Sequence, residues 1–205
     1  MGFYAERVVP RMLNLACGAK SMDPMRDRVC EGLHGEVVEI GFGSGHNVPH
    51  YPRDIKRVAA VEPADVGWKL ADKRMRESPV MIERAGLDGQ ALPFPDDSYD
   101  AALSTWTLCT VPDAAVALAE LRRVLKPGGA LHFAEHGLAP DENVRRWQRR
   151  LDPIEVRALA GCHFTRPIVD MLTAAGFTIT ELDVFYLKGG PKFAGAQSLG
   201  IAVSP

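Results

Sequence analysis

The sequence predicts an α/β fold built on a mainly parallel sheet, and three observations predict it. Short apolar runs alternate with helix-period runs along the 205 residues. The helical runs start and stop at recognisable capping residues. The first apolar run feeds a turn with glycine at alternate positions, Gly41, Gly43 and Gly45, a composition that lets a ligand come close to the backbone.

The strand expectations, in chain order, are 36–41, 57–62, 80–84, 99–104, 130–135, 178–187 and 198–203. The helices follow from their ends. Asp23-Pro24 reads as an N-cap with proline at the first helical position, and Gly32 or Gly35 would stop that helix. Asp113 caps a helix whose Leu118, Leu121, Val124 and Leu125 share one face. Lys126-Pro127-Gly128-Gly129 ends it and turns the chain into the fifth strand. Residues 170–175 form another helix, stopped by Gly176. The interval 139–176 is long for a plain crossover and has room for helices over one sheet edge, where open α/β sheets bind ligands.

Composition narrows the function. Hydrophobic residues make up 46% and charged residues 24%, with a net charge of −2, so the basic excess of a general nucleic-acid binder is missing. Cys17, Cys30, Cys109 and Cys162 form no C-x-x-C pair, and the spacing suggests neither a zinc site nor a disulfide framework. No run approaches the ~20 apolar residues of a membrane span. Residues 1–20 lack a signal-peptide pattern, and Glu6 breaks the myristoylation pattern begun by Gly2. The expectation is a cytoplasmic protein without membrane association.

The turn after the first strand, Val37-Val38-Glu39-Ile40-Gly41-Phe42-Gly43-Ser44-Gly45, is the central feature. Alone it reads equally as a plain turn or a ligand loop. Its third glycine comes one residue earlier than in the dinucleotide fingerprint G-x-G-x-x-G, which argues against a pyrophosphate ligand. Glu62 ends the second strand, just before Pro63, and an ionised carboxylate there can accept both hydroxyls of a ribose. Asp88 could accept from an adenine amine, and the Gly89 N–H could donate to a ring nitrogen.

Together these pieces resemble the class I S-adenosylmethionine (SAM) dependent methyltransferases, of the methyltransferase type 11 kind. The tract Leu121-Arg122-Arg123-Val124-Leu125-Lys126-Pro127-Gly128-Gly129-Ala130 is the strongest match. The resemblance implies a Rossmann-like, seven-stranded, mostly parallel sheet with an antiparallel last strand and helices on both faces. It implies one domain over 1–205, with a helical segment at 1–35 and a helical insertion at 139–176 over the acceptor site. The implied cofactor is SAM, leaving as S-adenosylhomocysteine, with no metal. Its implied binding residues are Glu39, Gly41, Gly43, Gly45, Asn47, Glu62, Pro63, Asp88, Gly89, Thr105, Trp106 and Leu108.

A narrower resemblance, to the animal methyltransferase-like thiol S-methyltransferases, rests on several further tracts. They are Asn47 through Tyr51-Pro52, Thr107-Leu108-Cys109, Glu135-His136, Trp147-Gln148, Leu151-Asp152-Pro153 and Gly161-Cys162 with Thr165-Arg166. Those proteins start with a hydrophobic anchor that this chain lacks. The match implies a small-molecule methyl acceptor, with a thiol as first choice. His136, just past the fifth strand where the acceptor should lie, reads equally as a proton-transfer group or a loop histidine, and Trp147, by its place in the insertion, and Cys162 are the other acceptor-site candidates. From the residues themselves, Asp152-Pro153-x-Glu155 reads as a helix cap. Cys109 and Cys162 read as buried small residues rather than nucleophiles. The alternatives are a quinone- or lipid-type carbon or oxygen methyltransferase and a non-catalytic SAM-binding module.

Overall fold

Alternation of side-chain direction along a strand puts neighbouring residues on opposite faces of a sheet. In β1 (Gly35–Ile40), Val37 and Val38 are both fully buried, in two different clusters. A strand apolar on both sides belongs inside a sheet covered on both faces. The computed structural model, which describes residues 9–159 and 161–205, has this architecture. Seven strands form one sheet in the order β3-β2-β1-β4-β5-β7-β6. They are β1, β2 (Ile55–Val61), β3 (Met81–Gly86), β4 (Tyr99–Thr105), β5 (Leu125–His136), β6 (Thr178–Tyr186) and β7 (Ala196–Val203). The first five pair in parallel, and β7 runs antiparallel between β5 and β6.

Helices cover both faces. On one side, α4 (Ala114–Val124) and α6 (Ile168–Ala174) contribute Leu118, Leu121, Val124, Ile168 and Leu172 to the cluster around Val38 and Phe133. On the other, α2 (Asp23–Cys30) and α3 (Asp65–Glu77) bring Met25, Val29 and Ala71 against Val37, Val58 and Leu103. Further α-helices among the described residues are α1 (Val9–Cys17), α5 (Glu142–Ala158) and the short α7 (Lys192–Gly195).

The expected strands all form, and Asp113 caps α4 through the N–H groups of Ala115 and Val116. Several boundaries differ. Asp23 is the first residue of α2 rather than its cap, Met22 preceding it without a side-chain cap bond. The Lys126-Pro127-Gly128-Gly129 tract lies within β5, where the register with β4 slips between Tyr99 and Ala101 and Gly128 takes φ +79°. Asp152 and Pro153 fall inside α5 and start no helix. Asp152 instead accepts from His163 Nδ1 at 2.9 Å and from the Thr165 N–H at 3.2 Å, so its carboxylate staples the next loop to α5. The end of the 139–176 interval, α6, is a core helix rather than part of a cover. The Gly2–Glu6 stretch lies outside the described residues. Among the described residues, no helix is long and apolar enough to cross a membrane.

Candidate active site

The strand order reverses its direction of growth between β1 and β4, and in open α/β sheets ligands bind beyond the strand ends at such a switch point. A cleft of about 700 Å³, counting its open mouth, lies there. Its walls include Gly41 and Gly43 after β1, Glu62 after β2, and Thr105 and Trp106 at the end of β4.

The glycine loop is shaped by its backbone. Gly41, Gly43 and Gly45 all take positive φ, between +57° and +72°. A Cβ on Gly41 would collide with the side chain of Thr107, so the loop lies directly on the chain leaving β4. A second contact was invisible in the motif. Gly67, buried inside α3, lies where a Cβ would come within 2.6 Å of the Gly43 carbonyl oxygen. Glycine inside a helix costs about 1 kcal/mol against alanine, and here it lets the helix meet the loop.

Glu62 is buried and anchors the loop. It accepts from the Gly43 N–H at 2.9 Å and the Ala64 N–H at 2.7 Å. Burial raises its pKa, and these two donors oppose the shift. A carboxylate has roughly four acceptor positions, so two remain for ligand hydroxyls.

Beneath the cleft runs a buried polar network. Asn47 Nδ2 donates to Glu39 Oε1 at 2.8 Å and to Thr105 Oγ1 at 2.9 Å. Asn47 Oδ1 accepts from Arg26, and the Tyr51 hydroxyl donates to Glu39 Oε2. Burial pushes the pKa of Glu39 up to about 7, against the pull of Tyr51 and Asn47. Glu39 is therefore a positioning residue under the cleft, with both oxygens already engaged.

Arg26 is the residue the sequence reading missed. It is buried, lines the cleft and stacks its guanidinium 4.8 Å from the centre of the Trp106 ring. Burial lowers its pKa. Its other contact, to the Cys17 carbonyl at 2.9 Å, ties α1 to the site. Asn14, Cys17, Ser44 and His46 also line the cleft. Ser44 and His46 come with the glycine loop, but no local motif marks Asn14, Cys17 or Arg26, because only the packing of α1 and α2 brings them to the strand ends. Trp106 carries a signal of its own in the structure: φ +49°, rare for a large residue and common at functional sites.

The other expected residues fall differently. Asn47, Thr105 and Trp106 line the cleft. Gly45 sits behind the loop, facing Phe42, Val48 and Ala71. Leu108 is wholly buried in the hydrophobic core, and Pro63 is exposed. Asp88 is exposed and caps its own turn through the Gln90 N–H at 2.8 Å. Gly89 rests on Ile40, at the end of β1.

On the β5 side, His136 is buried with Nδ1 3.6 Å from Cys162 Sγ. Trp147 is 56% exposed on α5, with Arg150 over its ring, and does not line the cleft. Its neighbour Gln148 is the residue turned inward, bonded to Gly137, Ala139 and Phe193. The cysteines correct the reading of four scattered thiols, because Cys109 and Cys162 meet beside His136. The Cys109 thiol and His136 hold the Cys162 thiol below the ordinary thiol range. Glu135, fully buried, accepts from Ser104 Oγ at 2.7 Å and the Thr107 N–H at 3.2 Å. Burial pushes its pKa up to about 7.

A methyltransferase domain model matches residues 38–133. Human thiol S-methyltransferase TMT1B is 32% identical over 177 residues, covering 80% of this chain and 71% of its own length. The chain belongs to the SAM-dependent methyltransferases. The rat thiol S-methyltransferase TMT1B is 34% identical, over 75% of this chain. The chain spans 65% of that relative's length. A SAM-dependent methyltransferase from Thermotoga maritima has the same fold, with a TM-score of 0.71 at 24% identity and full coverage of both chains. The cleft suits the family's cofactor. Its buried groups include one cation, Arg26, for a carboxylate, and one carboxylate, Glu62, for paired hydroxyls, with a glycine loop between them.

Proposed function

We propose that this chain transfers the methyl group of SAM to a small, fairly apolar acceptor, a thiol. The observation that carries the reading is the cleft at the β1–β4 switch point, where the glycine loop, Glu62 and Arg26 surround one space. The choice of a thiol is supported by the rat and human relatives.

In this reading Arg26 and the Gly41–Gly43 backbone hold the amino-acid end of the cofactor. Glu62 takes the ribose hydroxyls, Asp88 and Gly89 the adenine, and Thr105 and Trp106 close the wall beside the sulfonium. The cofactor supplies an electrophilic methyl group; the chain supplies orientation and a dry surface. A thiol attacks as its thiolate, so little base strength is asked of the protein. A carbon or oxygen acceptor is the second reading. It is favoured by His136 Nε2, which is buried without a hydrogen-bond partner among the described residues and could take a proton.

Calorimetry with SAM and with NAD tests the cofactor, and labelled SAM with thiol, phenol and quinone acceptors tests the chemistry. SAM binding, no NAD binding and label in a thioether are expected. An intact fold that binds no SAM overturns the reading, and label only on carbon or oxygen overturns the thiol.

A further inference from the structure

Three residues far apart in sequence converge at the ends of β4 and β5. Cys109 follows β4, His136 ends β5 and Cys162 lies in the loop after α5. One ligating atom from each, the two sulfurs and a ring nitrogen, lie within 4.8 Å of one another. All three residues are buried, Cys162 being the most open at 9% exposure.

The Cys162 thiol and the His136 ring are within hydrogen-bond reach, and the same spacing fits a shared metal ion. Zinc binds imidazole nitrogen at about 2.0–2.1 Å and thiolate sulfur at about 2.3 Å, in tetrahedral geometry. Those lengths and a tetrahedral angle put nitrogen and sulfur about 3.6 Å apart. His136 Nδ1 and Cys162 Sγ are 3.6 Å apart.

The frame around the cluster is fixed by bonds between the segments that carry it. The His163 N–H donates to the Cys109 carbonyl at 2.8 Å, joining the two cysteine loops. Arg166 donates to the Leu108 carbonyl, and Asp152 holds His163 and Thr165 from α5. Phe164 packs edge-on against the His136 ring, 5.2 Å between centres. The cluster is also tied to the cofactor cleft. Trp106 donates from Nε1 to Gln197 Oε1 at 2.8 Å, and Gln197 is the register partner of His136 on β7.

We propose that Cys109, His136 and Cys162 form a zinc site whose fourth coordination position takes the thiol of the methyl acceptor. Three protein ligands with one open position is the pattern of catalytic rather than structural zinc. The role in methyl transfer rests on the function proposed above; the metal site itself does not. A neutral thiol would bind zinc as thiolate and release its proton to solvent. The sulfur then forms a bond to the methyl carbon while the bond from that carbon to the SAM sulfonium breaks. The products are a neutral thioether, a weak zinc ligand that leaves, and S-adenosylhomocysteine.

The test uses the full chain, purified and reconstituted with zinc under reducing conditions. About one zinc per chain is expected by elemental analysis, falling below about 0.1 in Cys162→Ser and His136→Gln. Cobalt in place of zinc is expected to give a thiolate charge-transfer band that small thiols change. Zinc is also expected to slow alkylation of Cys162 in the unaltered protein at least tenfold, a readout that does not depend on a variant folding. Zinc-free wild-type protein after reconstitution, or full zinc content in Cys162→Ser, overturns the site. A cobalt spectrum that thiols leave unchanged overturns the open position. SAM calorimetry on the same samples separates the two ideas: zinc bound without SAM binding leaves the site standing and removes the methyl-transfer reading.

Discussion

The two ends of the site are built on different plans. At the β1–β2 end, the cleft wall and the polar network beneath it are built by backbone and by residues close in sequence: Glu39, Gly41, Gly43, Asn47 and Tyr51, completed by Glu62 on the adjacent strand. At the β4–β5 end, Cys109, His136 and Cys162 come from three separate segments and meet only through the fold. The contrast follows from what each end has to do. An invariant cofactor can be met by one loop shape. In the function proposed above, an acceptor pocket is assembled from a strand end and two connections that meet only in the folded chain.

The sharpest way to break the local plan is Gly41→Ala. A side chain there costs about 1–2 kcal/mol for left-handed backbone. It would also push Thr107 away from the carbonyls of Thr105 and Ile40, 3.1 and 3.3 Å from its hydroxyl. The total loss should reach about 3 kcal/mol. Gly128→Ala is the control. Gly128 also has positive φ, at +79°, but nothing lies within 4 Å of its Cβ position, so about 1–2 kcal/mol is expected. Urea unfolding of both variants checks the difference, and equal losses would show that the loop's contact with Thr107 is unimportant.

The same contrast explains how much the sequence revealed. The sheet was legible because a strand buried on both faces, such as β1, must read as an apolar run. The loop alone read equally as a plain turn, and it became legible as a site only with its early third glycine and with Glu62 and Asp88 behind it. Arg26 was not legible, because an arginine in a short helix usually faces solvent and only the packing of α2 on the sheet buries it. Asp152 misled because Asp-Pro is a good helix start, yet here the tertiary bonds to His163 and Thr165 decide its place. The cysteine cluster could not be found from spacing, since its members share no motif.

The buried carboxylates provide a test in pH. Glu39 and Glu135 have folded-state pKa values raised to about 7 from an ordinary 4.5. Between those values the folded chain holds a proton that the unfolded chain releases. Their share of stability therefore falls as pH rises from about 4.5 to about 7, then levels off. For Glu39 the change is on the order of 3 kcal/mol. Glu39→Gln, which stays neutral, should flatten that part of the curve when unfolding midpoints are compared at pH 5 and pH 8. An unchanged slope would mean that Glu39 titrates normally in the folded protein.

A smaller effect is expected at Arg26. Arg26→Ala removes the donor to Asn47 and the stacking on Trp106. Leaving a buried acceptor unpaired costs about 1–3 kcal/mol. SAM affinity should fall by about 10- to 100-fold through the lost carboxylate contact. Arg26→Lys, which keeps the charge but not the planar fork, should recover only part of it. Titration calorimetry measures both, and affinities equal to that of the unaltered chain would detach Arg26 from the cofactor.

The smallest effect belongs to Trp147, and it bears on whether α5 moves. Its side chain is more than half exposed, and Arg150 lies over its ring, 5.6 Å away. An exposed pair of this kind contributes about 0.5–1 kcal/mol. Trp147→Ala should therefore cost no more than that in stability. If α5 stays where it is, kcat/KM for a thiol acceptor should change by less than about twofold, under 0.5 kcal/mol. Gln148→Ala, one residue on, removes three hydrogen bonds, two of them buried, and should destabilise by about 2–3 kcal/mol. A tenfold or larger loss of kcat/KM in Trp147→Ala, with stability intact, would require the indole to reach the acceptor during turnover. Since Gln148 holds this part of α5 to the end of β5, that result would mean those bonds break when the acceptor binds. The Gln148→Ala variant would then lose its dependence on Trp147, a coupling that a double-mutant cycle on kcat/KM would reveal.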